Sequence, residues 1–133
     1  MIATLTGVSY RYPGATEDAL TEANLRVEEG EFALVAGPSA GGKSTLLRLF
    51  NGLIPQFHGG RLRGEVRVAG VDPSRTPARE VARIAGMVFQ EPEAQAVTDL
   101  VEQEIAFGME QQGMPPPEMR RRLGDVLELL DIE

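Results

Sequence analysis

The chain has 133 residues, a formal net charge of −7, 42% hydrophobic and 25% charged residues, no cysteine and one histidine, His58. These are the values of one globular domain, and they exclude coiled coil, collagen-like repeats, disulfide frameworks, thiolate nucleophiles and Cys- or multi-His metal sites. The acidic balance argues against nucleic acid or anionic lipid as a partner, no stretch approaches the roughly 18 apolar residues of a membrane span, and the start, MIATLTGVSYRYPG, lacks the pattern of a signal peptide.

Residues 2–9 and 20–28 are predicted strands with a turn at Pro13-Gly14 between them, and Leu20, Ala23, Leu25 and Val27 alternate roughly with polar neighbours. Beyond the turn at Glu28-Glu29-Gly30, the apolar run Phe32-Ala33-Leu34-Val35-Ala36 predicts a strand buried on both faces, as in a parallel sheet. Gly37 to Gly42 is a glycine-rich loop, and Lys43 to Leu53 a helix with Leu46, Leu47, Leu49 and Phe50 at helical spacing. Residues 55–64 read as an irregular loop, Glu65 to Val68 as a half-exposed strand, Gly70 to Pro73 as a turn, and Pro77 to Ile84 as a short helix. Gly86-Met87-Val88-Phe89 is a second apolar run, ending at Gln90. From Thr98 the pattern is helical, with Asp99 and Glu102 at capping-box spacing. Pro115 to Pro117 break that helix and start another, whose apolar face is Met119, Leu123, Val126, Leu127 and Leu130 and whose solvated face holds Arg120, Arg121 and Arg122.

Gly37-Pro38-Ser39-Ala40-Gly41-Gly42-Lys43-Ser44-Thr45 fits G-x-x-x-x-G-K-[ST]. Glycines let consecutive backbone N–H groups turn inward as an anion nest, and the helix behind the loop aims its positive dipole end at the same point. Lys43 brings a compact ammonium to the outer phosphates, and the Ser44 hydroxyl can ligate the Mg²⁺ that bridges them. Of the 13 basic residues, Lys43 is the one lysine; the rest are arginine. A strand before the loop and a helix after it are the context the motif requires.

The arrangement resembles the nucleotide-binding domain of ABC transporters. Tyr12, in YPG, matches the aromatic residue on which that family stacks adenine, and Gln90, in MVFQEPE, matches the glutamine that senses Mg²⁺ and the attacking water and links them to the transmembrane partner. Tyr10 is the competing candidate for the base; Tyr12→Ala is expected to weaken ATP binding by about 1–3 kcal/mol, and Tyr12→Phe or Tyr12→Trp largely to preserve it. More narrowly, NGLIPQFHGG, MVFQEPEAQ and EIAFG look like the ATPase subunits of energy-coupling factor importers of the cobalt/vitamin type. The resemblance implies an α/β P-loop NTPase fold: a mixed sheet with an antiparallel β part, a core over 1–97, and the start of a helical subdomain over 98–133. It implies ATP and Mg²⁺ as ligands, Lys43 and Gln90 as catalytic groups, Ser44 and Gln90 at the metal, and the loop residues 37–45 with Tyr12 around the nucleotide. It also implies a second ATPase subunit, identical or not, and a transmembrane subunit docking on region 91–107 at the cytoplasmic face of the membrane.

Two departures stand out. The family loop reads G-x-x-G-x-G-K-[ST], whereas here Ala40 stands at the middle glycine and Gly41 follows it. A non-glycine residue bears about 1–3 kcal/mol of strain where φ must be positive. The family's signature motif, Walker B aspartate, following glutamate and switch histidine are also not met. Leu127 to Asp131 is a poor Walker B, with Glu128 inside the run and an amphipathic helix around it. The expectation is an N-terminal piece of a longer ATPase that binds nucleotide, with hydrolysis in the intact protein. The alternatives are a soluble, non-transport ATPase of the same class and a pure nucleotide-binding module.

Overall fold

β1 (Ala3–Arg11), β2 (Leu20–Val27) and β3 (Arg61–Val68) form an antiparallel sheet in the order β2-β1-β3 in the computed structural model, which describes residues 1–132. Two compact units divide the chain, Met1–Met87 and a second from Val88.

The buried apolar positions of β1 are Leu5, Val8 and Tyr10, a spacing of three and then two, with the polar Ser9 buried between the last two. The irregular step comes from register shifts in both pairings, near Gly7 and again between Val8 and Tyr10. Gly7 has φ +56 and its N–H donates to Asn24 Oδ1 at 2.9 Å; in β2, Glu22 has φ +46 and donates its N–H to Ser9 Oγ at 2.9 Å. Such bulges insert a residue and re-aim the following side chains, which is why Leu20 and Ala23 are three apart yet both face the core. Gly64 in β3 crosses this bulge so closely that a side chain there would collide with the Gly7 and Thr6 backbone.

α1 (Lys43–Phe50) packs its apolar stripe on the sheet: Leu49 is buried with Leu5, Val8, Tyr10, Ile54 and Val66, while Leu46 and Phe50 are half-buried against them. Each such fully buried aliphatic side chain contributes about 1.5–3 kcal/mol. The predicted helix to Leu53 stops earlier, because Gly52 at φ +75 breaks it; α2 (Leu53–Gln56) is a separate kinked turn. β3 begins at Arg61, so part of the predicted loop 55–64 is strand, and α3 (Ala78–Val81) is a single turn with Val81 fully buried.

The two apolar runs differ from expectation. Phe32 to Ala36 and Gly86 to Phe89 carry no strand pairing; Phe32, Leu34 and Val88 are 94%, 83% and 80% exposed. A parallel strand exists only through hydrogen bonds to its neighbours, and among the described residues the sheet pairs β1 with β2 and β3 alone.

In the second unit a short 3-10 turn, Pro92–Gln95, precedes α4 (Val101–Gln111) and α5 (Pro116–Leu130), which pack against each other. The expected Asp99–Glu102 capping box does not form. α4 starts at Val101 with Leu100 at its cap, so Glu104 reaches back instead: its Oε2 accepts from the N–H groups of Val97 and Thr98, each at 2.9 Å, and from Thr98 Oγ1 at 3.1 Å. On α5, Met119, Leu123, Val126 and Leu127 are half-buried as expected, whereas Leu130 is exposed. Arg121 and Arg122 stand on the solvated side, paired to Asp125 and Glu118 across one helical turn.

Candidate nucleotide site

The loop between Ala36 and α1 is exposed from Gly37 to Gly41 and tightens at its end. Gly42 caps α1 with φ +83, and a Cβ there would stand 2.6 Å from the Ala19 carbonyl oxygen. Gly41 donates its N–H to Pro38 O at 3.1 Å, closing a turn over Pro38 to Gly41. Ala40 inside that turn has φ +62, so it occupies the left-handed region that the family's glycine would enter without strain.

The helical ladder begins with Leu46 N–H donating to Gly42 O at 2.9 Å. The amides of Lys43, Ser44 and Thr45 precede it and are the donors a helix N-terminus offers to an anion. Lys43 Nζ donates to Gly37 O at 2.8 Å and to Pro38 O, which leaves one of its three protons for a ligand. Residues 40–45 with Tyr12 and Ala19 line a cavity of about 250 Å³. Ser44 is exposed beside it, whereas Thr45 is buried and its Oγ1 lies 3.1 Å from Tyr12 Oη. Of the two hydroxyls, Ser44 is the one open to a cation.

A metal would have few protein ligands here. Among the described residues, no three His, Cys, Asp or Glu side chains converge to hold one. The donor this chain could offer a Mg²⁺ that arrives with phosphate is the exposed Ser44 hydroxyl.

Tyr12 also lines a second cavity of about 340 Å³ with Arg11, Pro13, Gly14, Ala15, Gly60 and Arg61. Its ring meets Tyr10 edge-to-face, centroids 4.9 Å apart at 85°. Tyr10 is fully buried and donates its hydroxyl to Gly59 O at 2.7 Å; burial pushes its phenol pKa up. Tyr10 therefore has no open face for a base, and Tyr12 is the aromatic residue at the cavities. The turn that carries Tyr12 is braced by Asp18, whose carboxylate accepts from Arg11 Nε at 2.7 Å and Arg63 Nη2 at 2.9 Å. The Arg11 hydrogen bond, aided by both guanidinium charges, holds that carboxyl below the usual carboxylate range.

The first unit thus brings together Tyr12, the loop 37–42 and Lys43, Ser44 and Thr45. Gln90 belongs to the second unit, exposed ahead of the 3-10 turn. In that unit Thr98, Glu102, Gln103, Ala106, Phe107, Glu110 and Leu123 line a groove of about 400 Å³ between α4 and α5. His58 is exposed, as expected of a loop residue. Sequence reasoning passed over Asp18 and Arg48. Arg48 follows Thr45 by one helical turn, the only signal that both could reach Tyr12; Asp18 gave none, because its partners Arg11 and Arg63 meet it only through the sheet.

Residues 20–133 match the ABC transporter family. A relative from Streptomyces coelicolor, described as an ABC transporter ATP-binding protein, is 50% identical over 125 residues, 94% of this chain and 22% of that protein. The chain thus spans about a fifth of the length of the curated relatives it matches. Among solved structures, cbiO1 from Clostridium perfringens, part of the ABC transporter complex cbiONQ, superposes with a TM-score of 0.79 at 29% identity, over 99% of this chain and 51% of that one. The ATP-binding cassette MJ0796, solved as a dimer in a post-hydrolysis state with ADP and Pi, superposes with a TM-score of 0.74 at 26% identity, over 99% and 58%. The fold is accordingly α/β, of the P-loop cassette type.

Proposed function

This chain belongs to the ABC transporter family, and from that premise we propose that it binds ATP with Mg²⁺ at the loop 37–45 and, within a protein of its relatives' length, hydrolyses ATP to power import through a membrane complex. The observation that carries this reading is the loop ending in Gly42 at φ +83 with the free helix N-terminal amides and Lys43 converging on one cavity. The amides of residues 43–45 and the Lys43 ammonium would take the phosphate charge, Ser44 would offer its hydroxyl to Mg²⁺, and Tyr12 would take the base. Mg²⁺ supplies charge neutralisation on the phosphates when bound. Gln90 is assigned to the metal and the attacking water.

Residues 1–97 form the nucleotide-binding core in this reading, and 98–133 open the helical subdomain. Region 91–107 is assigned to a transmembrane subunit. Its exposed Val97, Leu100 and Val101, at 62%, 59% and 54%, support an apolar contact. No helix among the described residues is long and apolar enough to cross a membrane, so membrane association at the cytoplasmic face runs through that partner. A second ATPase subunit completes the pair, and the likeness to cbiO1 of a cbiONQ complex supports the energy-coupling factor type.

Lys43→Arg tests the assignment. Charge is kept, but a planar guanidinium is wider than an ammonium and seeks a two-pronged partner. Steady-state ATPase of the full-length protein is expected to fall at least about tenfold, a barrier change of roughly 1.4 kcal/mol, and Lys43→Ala to weaken nucleotide binding as well. A wild-type rate for Lys43→Arg contradicts the assignment.

A further inference from the structure

We propose that Arg48 is a positioning residue for the base: it fixes the Tyr12 ring at the loop through the tyrosine hydroxyl without touching nucleotide. The inference rests on the reading of Tyr12 as the base platform and goes beyond it, because stacking by itself assigns nothing to the hydroxyl.

Tyr12 follows the end of β1 and precedes the turn at Pro13-Gly14, where no strand pairing holds its ring. Two contacts on the hydroxyl do. Arg48 Nη1 donates to Tyr12 Oη at 3.2 Å, and Thr45 Oγ1 lies 3.1 Å from the same oxygen. Both partners come from α1, the helix whose N-terminus forms the phosphate site. The base platform and the phosphate site therefore share one rigid element, and α1 sets the distance between them.

The donor–acceptor chemistry gives the chain a direction. A guanidinium donates only. Arg48 therefore makes Tyr12 Oη an acceptor and leaves the tyrosine proton available for Thr45 Oγ1. Arg48 reaches this oxygen at a cost: its Nε is buried with no hydrogen-bond partner. A surface arginine would turn that group to water; here the side chain is committed inward, half-buried, with Tyr12 as its hydrogen-bond partner. Tyr10 packs edge-to-face with the ring, centroids 4.9 Å apart, and is itself fixed by its bond to Gly59 O. The ring is thus held by its contact with Tyr10 and at its hydroxyl by Arg48 and Thr45.

The test compares two ligands that share phosphates and differ in the base. Mg-ATP and Mg-tripolyphosphate are titrated calorimetrically into the full chain as wild type, Arg48→Met and Tyr12→Phe. Arg48→Met keeps the length of the side chain and removes every donor. Both variants are expected to weaken ATP roughly tenfold, the scale of one hydrogen bond to a charged group, and to leave tripolyphosphate within about twofold of wild type. The double variant should be no worse than Tyr12→Phe alone, which already removes the Arg48 bond together with the contact to Thr45. Equal loss of both ligands would make Arg48 merely structural and overturn the proposal, as would unchanged ATP affinity in Tyr12→Phe, the outcome pure stacking predicts. Should Arg48→Met fail to fold, Tyr12→Phe, which breaks both hydroxyl contacts, is set beside Thr45→Val, which breaks only the Thr45 contact: a larger loss of ATP affinity in Tyr12→Phe supports the role of Arg48, and equal losses overturn it. A wild type that binds tripolyphosphate but gains nothing from the base overturns the platform itself, whereas one that binds neither ligand overturns the proposed function.

Discussion

Ala40 shows how one side chain can carry a cost that the sequence raises but does not settle. Its φ of +62 puts Cβ in the left-handed region, in a loop where the neighbouring Gly41 and Gly42 do without one. An L-residue there bears about 1–2 kcal/mol relative to glycine, partly offset by the greater freedom of glycine in the unfolded chain. Ala40→Gly is therefore expected to stabilise the chain by roughly 0.5–1 kcal/mol, read as a raised denaturant midpoint at unchanged slope. A lower midpoint would show that Ala40 is unstrained. The identity of the loop was legible because G-x-x-x-x-G-K-[ST] encodes its chemistry in residue types. The preference for Tyr12 over Tyr10 came from the resemblance and not from residue type, since both are tyrosines two residues apart; the structure separates them by burial, with Tyr10 inside β1 and its hydroxyl bonded to Gly59 O.

At the scale of elements, periodicity found β1, β2, α1, α4 and α5, each within a few residues. It failed where local order depends on something out of local view. The bulges at Gly7 and Glu22 shift register in a way that the run of apolar letters does not state. Phe32 to Ala36 and Gly86 to Phe89 have strand composition, but composition supplies no partner, and unpaired they stay exposed. The start of α4 was misplaced for a related reason: a capping box needs an exact first turn, and the helix begins where Glu104, not Glu102, reaches the preceding amides. Those backbone N–H bonds hold the Glu104 carboxyl below its ordinary value. A carboxyl lowered in the folded state lends support that is present above its unfolded value near 4.5 and is lost as pH falls through the lower folded value. The amides of Val97 and Thr98 should accordingly exchange faster with solvent as pH drops below about 4.5, after correction for intrinsic rates, and Glu104→Gln should remove that step. Protection that stays flat down to strong acid would contradict the contact.

For the whole molecule, the central claim is that this acidic chain, with net charge −7, holds one small site for a polyphosphate. The charge balance alone points away from anionic ligands, and the site escapes it because backbone amides and one ammonium act at close range while the surface acids are screened beyond about 10 Å at 0.1 M salt. A ligand that binds only the folded state raises the melting temperature, by about 2.7 kcal/mol of stability at a hundredfold excess over Kd. The most direct measurement is the thermal melt of the chain with increasing Mg-ATP, beside Lys43→Ala and beside Mg²⁺ alone. A saturable rise of several degrees is expected for wild type with Mg-ATP, a much smaller one for Lys43→Ala and none with Mg²⁺ alone. No rise at millimolar Mg-ATP, or the same rise in Lys43→Ala, contradicts the central claim.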